Sequence, residues 1–227
     1  MKNIYCLLIV SFLCIFSLLP AGAQTLSEKD FQVLNMNDGL SDNDIHSVAK
    51  DTEGFMWFGT GSGLNRYDGR TFKVFRMPGI SYRRIDRVVS LDTDYLLLRS
   101  EQNLFLFDKK YERFLPVCDS VSKQPVMFAD FVADSDGSCW GVSSGELSEV
   151  NFPSSFVQDT AFVSVRHVVN NSQSDPFVVL CMGEDGKMLY CASRNGTVYR
   201  FTPGQRQLKK VCDGQLSSGR WVSSLLY

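Results

Sequence analysis

The sequence predicts an all-β chain built from repeated, short, antiparallel strands, and three observations carry that expectation. Turn-forming residues recur every 8 to 12 positions from Asp38 onward. No stretch sustains a 3.6-residue apolar period with caps at its ends, so helix is expected to be nearly absent. The chain also repeats itself. "DTEGFMWFGT" begins at Asp51 and "DSDGSCWGVS" at Asp134, and in both a Gly stands three residues before a Trp.

Aligning the chain with itself extends this to four units, spaced by about 40, 43 and 49 residues. With Trp57 placed on Trp140, Gly54 falls on Gly137 and Leu64 on Leu147. In the second unit Leu97 takes the Trp position, Leu104 matches Leu64, and Phe107 matches Tyr67. In the fourth, Gly186 matches Gly54 and Leu189 matches Trp57; after a slip, Val198 matches Leu64 and Phe201 matches Tyr67. The units lie near 39–77, 80–117, 121–169 and 176–212, with the start of a fifth at 214–227.

Each unit reads as four strands. In the first, "DIHSVAKD" leads through the turn "TEG" to "FMWFGT", then through "GSG" to "LNRYD" and through "GR" to "TFKVFR". The acid-Gly clusters supply residues that tolerate positive φ in a tight turn. The Trp or Leu that follows is expected to fill the space between neighbouring sheets. Four-stranded units of 40 to 50 residues in tandem are the pattern of a β-propeller, here about four blades in an open arc. The segment 24–36, with a strand around "FQVLN", precedes the first unit and is expected to stand outside its blade, as a strand that would complete the last blade of a closed ring.

The amino terminus reads as a secretory signal peptide: one Lys, an apolar run from Ile4 to Leu19, then "PAGA", with cleavage expected between Ala23 and Gln24. The run is shorter than the roughly 20 residues that span a bilayer. Export is therefore expected. The net charge of −2 and the lack of a basic patch make nucleic acid a poor partner. Cys118, Cys139, Cys181, Cys191 and Cys212 lie beyond the leader with no CxxC spacing, so neither a zinc site nor a disulfide framework is expected. Cys118 and Cys212 occupy similar places after a strand, which makes a bridge between them conceivable.

Residues 37–76, "NDGLSDNDIHSVAKDTEGFMWFGTGSGLNRYDGRTFKVFR", closely resemble the two-component regulator propeller repeat found in the periplasmic sensor region of hybrid two-component histidine kinases. The resemblance covers residues 31–227, strongly in the first unit and loosely beyond it; the second unit lacks the acid-Gly turn and the Trp. It implies a periplasmic, non-catalytic sensor whose parent is anchored in the inner membrane and answers to breakdown products of complex carbohydrates. It implies no cofactor. The sequence carries no kinase element, so signalling is expected of a longer parent and this chain is expected to be a fragment of it. An oligosaccharide is then expected to bind only in the parent, because propeller ligands meet loops contributed by every blade. Further blades, or self-association of open sheet edges, are the other expected partners.

Two further readings stand beside the sensor. One is a stand-alone exported propeller scaffold. The other is a propeller carbohydrate-active enzyme, for which convergent acids or a base would be needed. The two histidines, His46 and His167, sit in strand candidates outside any metal or triad motif, so no catalytic or metal-binding residue is assigned, and no ligand-binding residue can be named. The arginines of "YRRIDR", Tyr82–Arg87, could meet an acidic sugar but read as a solvated edge. Trp57, Tyr67, Phe72 and Phe75 read as core between blades.

Overall fold

The computed structural model describes residues 31–79, 84–133, 139–153, 156, 159–171, 174–183 and 187–214. The expected signal peptide, Gly137, Gly186 and the start of a fifth unit lie outside the described residues. Among them no helix is long and apolar enough to cross a membrane.

Four blades follow one another. Blade 1 contains β1 (Ile45–Lys50), β2 (Met56–Thr60), β3 (Gly63–Tyr67) and β4 (Phe72–Phe75). Blade 2 contains β5 (Arg87–Ser90), β6 (Tyr95–Ser100), β7 (Asn103–Asp108) and β8 (Arg113–Asp119). Blade 3 contains β9 (Asp130–Ala133), β10 (Cys139–Ser143), β11 (Glu146–Asn151) and β12 (Ala161–Asn170). Blade 4 contains β13 (Phe177–Met182), β14 (Leu189–Ser193), β15 (Val198–Thr202) and β16 (Gln207–Cys212). Within each blade, consecutive strands pair antiparallel. The first strands β1, β5, β9 and β13 are spatial neighbours in that order, as the inner strands of a propeller are.

Three apolar seams hold the blades together, each drawing alternate residues from two facing sheets. Trp57, Leu64 and Phe75 of blade 1 meet Val88, Leu96, Leu98 and Phe107 of blade 2. Leu97, Leu104 and Leu106 then point the other way, onto Phe131, Cys139 and Val150 of blade 3. Trp140, Val142 and Leu147 in turn meet Phe177, Leu180, Leu189 and Phe201 of blade 4. Among the described residues no apolar cluster joins blade 4 to blade 1, so the blades form an open arc. Backbone contact at the seams is close enough to demand glycine. A Cβ on Gly59 would lie 2.7 Å from the Ile85 carbonyl oxygen, and one on Gly141 only 2.2 Å from the Phe128 ring.

Four expectations need correction. The sheets are not four separate ones: β8 and β12 pair parallel through Val117–Asp119 and Ala161–Val163, joining blades 2 and 3 into one eight-stranded sheet. The ten-residue β12 makes this possible, because it is long enough to pair with β8 first and with β11 afterwards. Residues 31–35 form no strand. Phe31 and Val33 are exposed, and Asn35 instead caps a single 3-10 turn at Met36–Asp38 through its side chain.

The third correction concerns Leu189. It lies on the second strand of its blade, as do Trp57, Leu97 and Trp140, but on the opposite face. Leu189 pairs with Phe201 as Met56 pairs with Tyr67, Leu96 with Phe107 and Cys139 with Val150. Tyr190 therefore holds the place of Trp57, one residue later, and Leu189 turns back into the third seam. A shift of one residue along a strand moves a side chain to the other face. On the same register Val198 does stand at the place of Leu64 and Phe201 at that of Tyr67. Fourth, only Trp57 and Phe75 of the four proposed core aromatics enter a seam. Tyr67 and Phe72 pair across β3 and β4 on the face turned away from blade 2, with ring centroids 4.6 Å apart.

Candidate functional site

The acid-Gly turn of the first unit is a structural bracket. Asp51 follows β1, and its Oδ1 accepts the backbone N–H groups of Glu53 and Phe55, both at 3.0 Å. Its Oδ2 accepts the indole N–H of Trp57 at 2.8 Å. Gly54 takes φ 94° between them, a conformation that costs little without a Cβ. The Lys109 ammonium of blade 2 lies 3.6 Å from the same carboxylate, and both side chains are buried. Sequence reasoning read the acid as a turn former and missed its role as acceptor for the Trp indole. The available signal was its recurrence six residues before a Trp, at Asp51 and Asp134. A second polar network closes the other end of blade 1: Ser41, Thr60 and the buried Asn65 share hydrogen bonds of 2.8–3.4 Å.

The inner strands line a cavity of about 650 Å³. β1 contributes His46, β5 contributes Arg87, β6 contributes Arg99, β9 contributes Asp130 and β13 contributes Leu180 and Cys181. Alternation along each inner strand puts every second side chain toward the axis, which is how residues far apart in sequence converge. Asp130 is the centre of the wall. Its Oδ1 accepts from Arg87 at 2.9 Å, and its Oδ2 accepts the backbone N–H of Leu180 at 2.9 Å. One carboxylate thus ties blade 3 to blades 2 and 4. Ser47 ties the inner strands of blades 1 and 2, its Oγ accepting the Val88 N–H at 3.0 Å.

Arg99 completes the group. It lies 3.9 Å from Asp130 without a hydrogen bond to it, and it donates through Nη1 to the Ala129 carbonyl. Burial pulls its guanidinium below the ordinary value, with Asp130 and then Asp86 opposing that shift. Its Nε has no hydrogen-bond partner, and neither does Nε2 of His46, which stands 3.3 Å from the exposed Asp44 carboxylate. The arginine run read as a solvated edge is therefore divided. Arg84 pairs with Asp86 near the surface, while Arg87 forms part of the cavity wall. Tyr82 and Arg83 lie outside the described residues.

His167 lies outside this cavity, on β12. Its Nδ1 is 2.9 Å from the Ser148 hydroxyl and 3.1 Å from a Glu146 carboxylate oxygen. Ser, His and acid are together, but hydroxyl and carboxylate address the same ring nitrogen. A relay needs the base to take the hydroxyl proton on one nitrogen while the acid orients the other, so this group is not arranged as a triad. Among the described residues no three His, Cys, Asp or Glu side chains are grouped to hold a metal ion.

None of the five described cysteines is in a disulfide, so the conceivable bridge between Cys118 and Cys212 is not formed. Burial raises the Cys139 thiol far above its ordinary value and pushes that of Cys191 up to about 12. Cys212 is exposed. A thiol-reactive reagent at neutral pH is expected to modify Cys212 first and to reach Cys139 and Cys191 only after denaturation. Mass spectrometry of the labelled peptides checks this. Rapid labelling of Cys139 in the folded chain would contradict the packing of the second seam.

The fold and its lining define the class: an open β-propeller with a polar axial cavity. Residues 39–62 match the Two component regulator propeller family. Histidine kinase P4 of Formosa agariphila is 37% identical over 78 residues, which is 34% of this chain and 5% of that kinase. Two extracellular domains of hybrid two-component systems from B. thetaiotaomicron share the fold. Their TM-scores are 0.58 and 0.57, at 16% and 15% identity, over 80% and 89% of this chain. Each match takes in 26% of the domain, so the chain spans about a quarter of these relatives. The resemblance read from residues 37–76 is borne out by these matches.

Proposed function

We propose that this chain is a non-catalytic, ligand-sensing propeller segment of an exported two-component signalling protein, and that it responds to oligosaccharides in the periplasm. The propeller family matched at residues 39–62 and the kinase relative support the sensor role. The relatives described as extracellular domains support export. The observation that carries the binding role is the cavity to which all four blades contribute, with charged and hydrogen-bonding groups on an otherwise apolar scaffold. The sequence alone led to an expectation of weak binding by this chain. A cavity to which each of these four blades contributes supports binding by the blades themselves.

Calorimetry of the purified full chain against neutral and acidic oligosaccharides from plant and host glycans tests the proposal. Saturable binding of at least one oligosaccharide, without release of new reducing ends, is the expected result. A folded chain that binds none of them, or that cleaves one, would require another function.

A further inference from the structure

We infer that the face of blade 1 turned away from blade 2 docks a second copy of this chain, which meets it with the same face across a two-fold axis. The first ground is register. Val48 pairs with Phe58 as Val88 pairs with Leu98, and Met56 pairs with Tyr67 as Leu96 pairs with Phe107. These four residues of blade 1 therefore hold the places of the four that blade 2 presents to blade 1. In blade 2 those four are at most 3% exposed, because the Trp57 face covers them. In blade 1, Val48 is 51% exposed and Ile45 of the same strand 41%, while Met56, Phe58 and Tyr67 are only half-buried. Residues 39–41 cross the outer part of the face. There the Ser41 N–H donates to Asn65 at 2.9 Å, and a Cβ on Gly39 would lie 3.5 Å from that of Phe72. The inner part is a seam half without its mate, and an apolar row on a sheet favours packing against another sheet.

The second ground is charge, which points to what the mate is. Asp44 stands just before β1, and Lys50 ends it. Asp44 lies 3.3 Å from the His46 ring, yet its side chain is 71% exposed; Lys50 is exposed as well. The acids nearest Lys50 are engaged elsewhere. Glu53 lies 3.9 Å from Lys109 of blade 2, and Asp68 accepts the Arg70 and Thr71 amides and the Thr71 hydroxyl of its own turn. A two-fold axis across the strands lays β1 antiparallel on its counterpart, so Asp44 of each copy meets Lys50 of the other and Val48 meets Val48. A two-fold axis along the strands would stack acid on acid. The face is thus self-complementary in charge as well as apolar at its centre. A four-stranded face of about five residues a strand covers roughly 300 Å² of sheet, so the dimer belongs among small, readily dissociating interfaces. Val48 also lines the axial cavity, so the docked copy borders the ligand site proposed above.

Sedimentation velocity of the purified chain at rising concentration is expected to show monomer passing to dimer and stopping there. Raising sodium chloride about tenfold should weaken the dimer several-fold. That comparison uses wild type alone and decides the role of charge even if a variant fails to fold. Lys50→Glu and Asp44→Lys each place like charges at both contacts. Each should be monomeric at concentrations where wild type dimerises, with the melting temperature unchanged. Mixed in equal amounts, the two variants should dimerise again, because both contacts then join opposite charges. A chain that stays monomeric throughout, or a dimer indifferent to salt and to both variants, overturns the inference. So does growth past the dimer into open-ended assemblies, which would mean that a different surface of the second copy meets this face. A mixture that remains monomeric overturns the paired charges and with them the two-fold arrangement.

Discussion

Asp51→Ala is expected to destabilise the first two blades by about 3–5 kcal/mol, the range for removing one partner of a buried charged pair. The carboxylate is wholly buried, and its loss leaves the Trp57 indole N–H, the Glu53 and Phe55 amides and the Lys109 ammonium without their shared acceptor. Lys109 is the costliest of these, because its side chain is only 6% exposed and cannot easily reach water. Asp51→Asn should cost less. It preserves the shape and one acceptor oxygen but turns an amide N–H₂ toward other donors. Urea denaturation followed by Trp fluorescence measures both. A loss under about 1 kcal/mol for the alanine variant would show that the acid is not the bracket between the turn, the Trp and blade 2.

Asp130→Ala is expected to have an effect of the same order, about 3–5 kcal/mol, for a different geometric reason. Asp51 organises one turn and one seam, whereas Asp130 joins the inner strands of three blades. Removing it strands the Arg87 guanidinium and the Leu180 amide, and it withdraws the nearest anion from Arg99. The melting temperature should fall on the order of ten degrees for a chain of this size. Asp130→Asn, which can still accept from the Leu180 N–H, should retain part of the loss. Differential scanning calorimetry of both variants is the check. A melting temperature within a degree or two of wild type in Asp130→Ala would mean that the apolar seams alone set the spacing of the blades.

The two predictions also show where the sequence was legible. Short apolar segments bounded by turn residues recur along the chain, so the strands and their four-fold repetition could be read directly. So could the seam residues Trp57 and Trp140, each three residues after a Gly turn, and Leu97, which takes the same place in the repeat without that turn. Asp51 was half legible. Its spacing before Trp57 is in the sequence, but its bond to the indole and its approach to Lys109 depend on how blade 2 packs on blade 1.

Other features belong to the tertiary structure alone. In the fourth unit, Leu189 and Tyr190 are both suited to an apolar face, and neighbouring residues in a strand point in opposite directions, so only the pairing of Leu189 with Phe201 decides which faces the seam. The parallel joint between β8 and β12 is equally silent, because backbone groups at a strand edge pair with whatever edge the packing presents. The cavity is the extreme case. His46, Arg87, Arg99, Asp130 and Leu180 belong to four different blades and share no local motif. The sequence by itself determined the repeated strands and what fills the space between sheets, since those follow from local periodicity. The tertiary structure decided which charges meet on the axis, since that depends on registers set by contacts far apart along the chain.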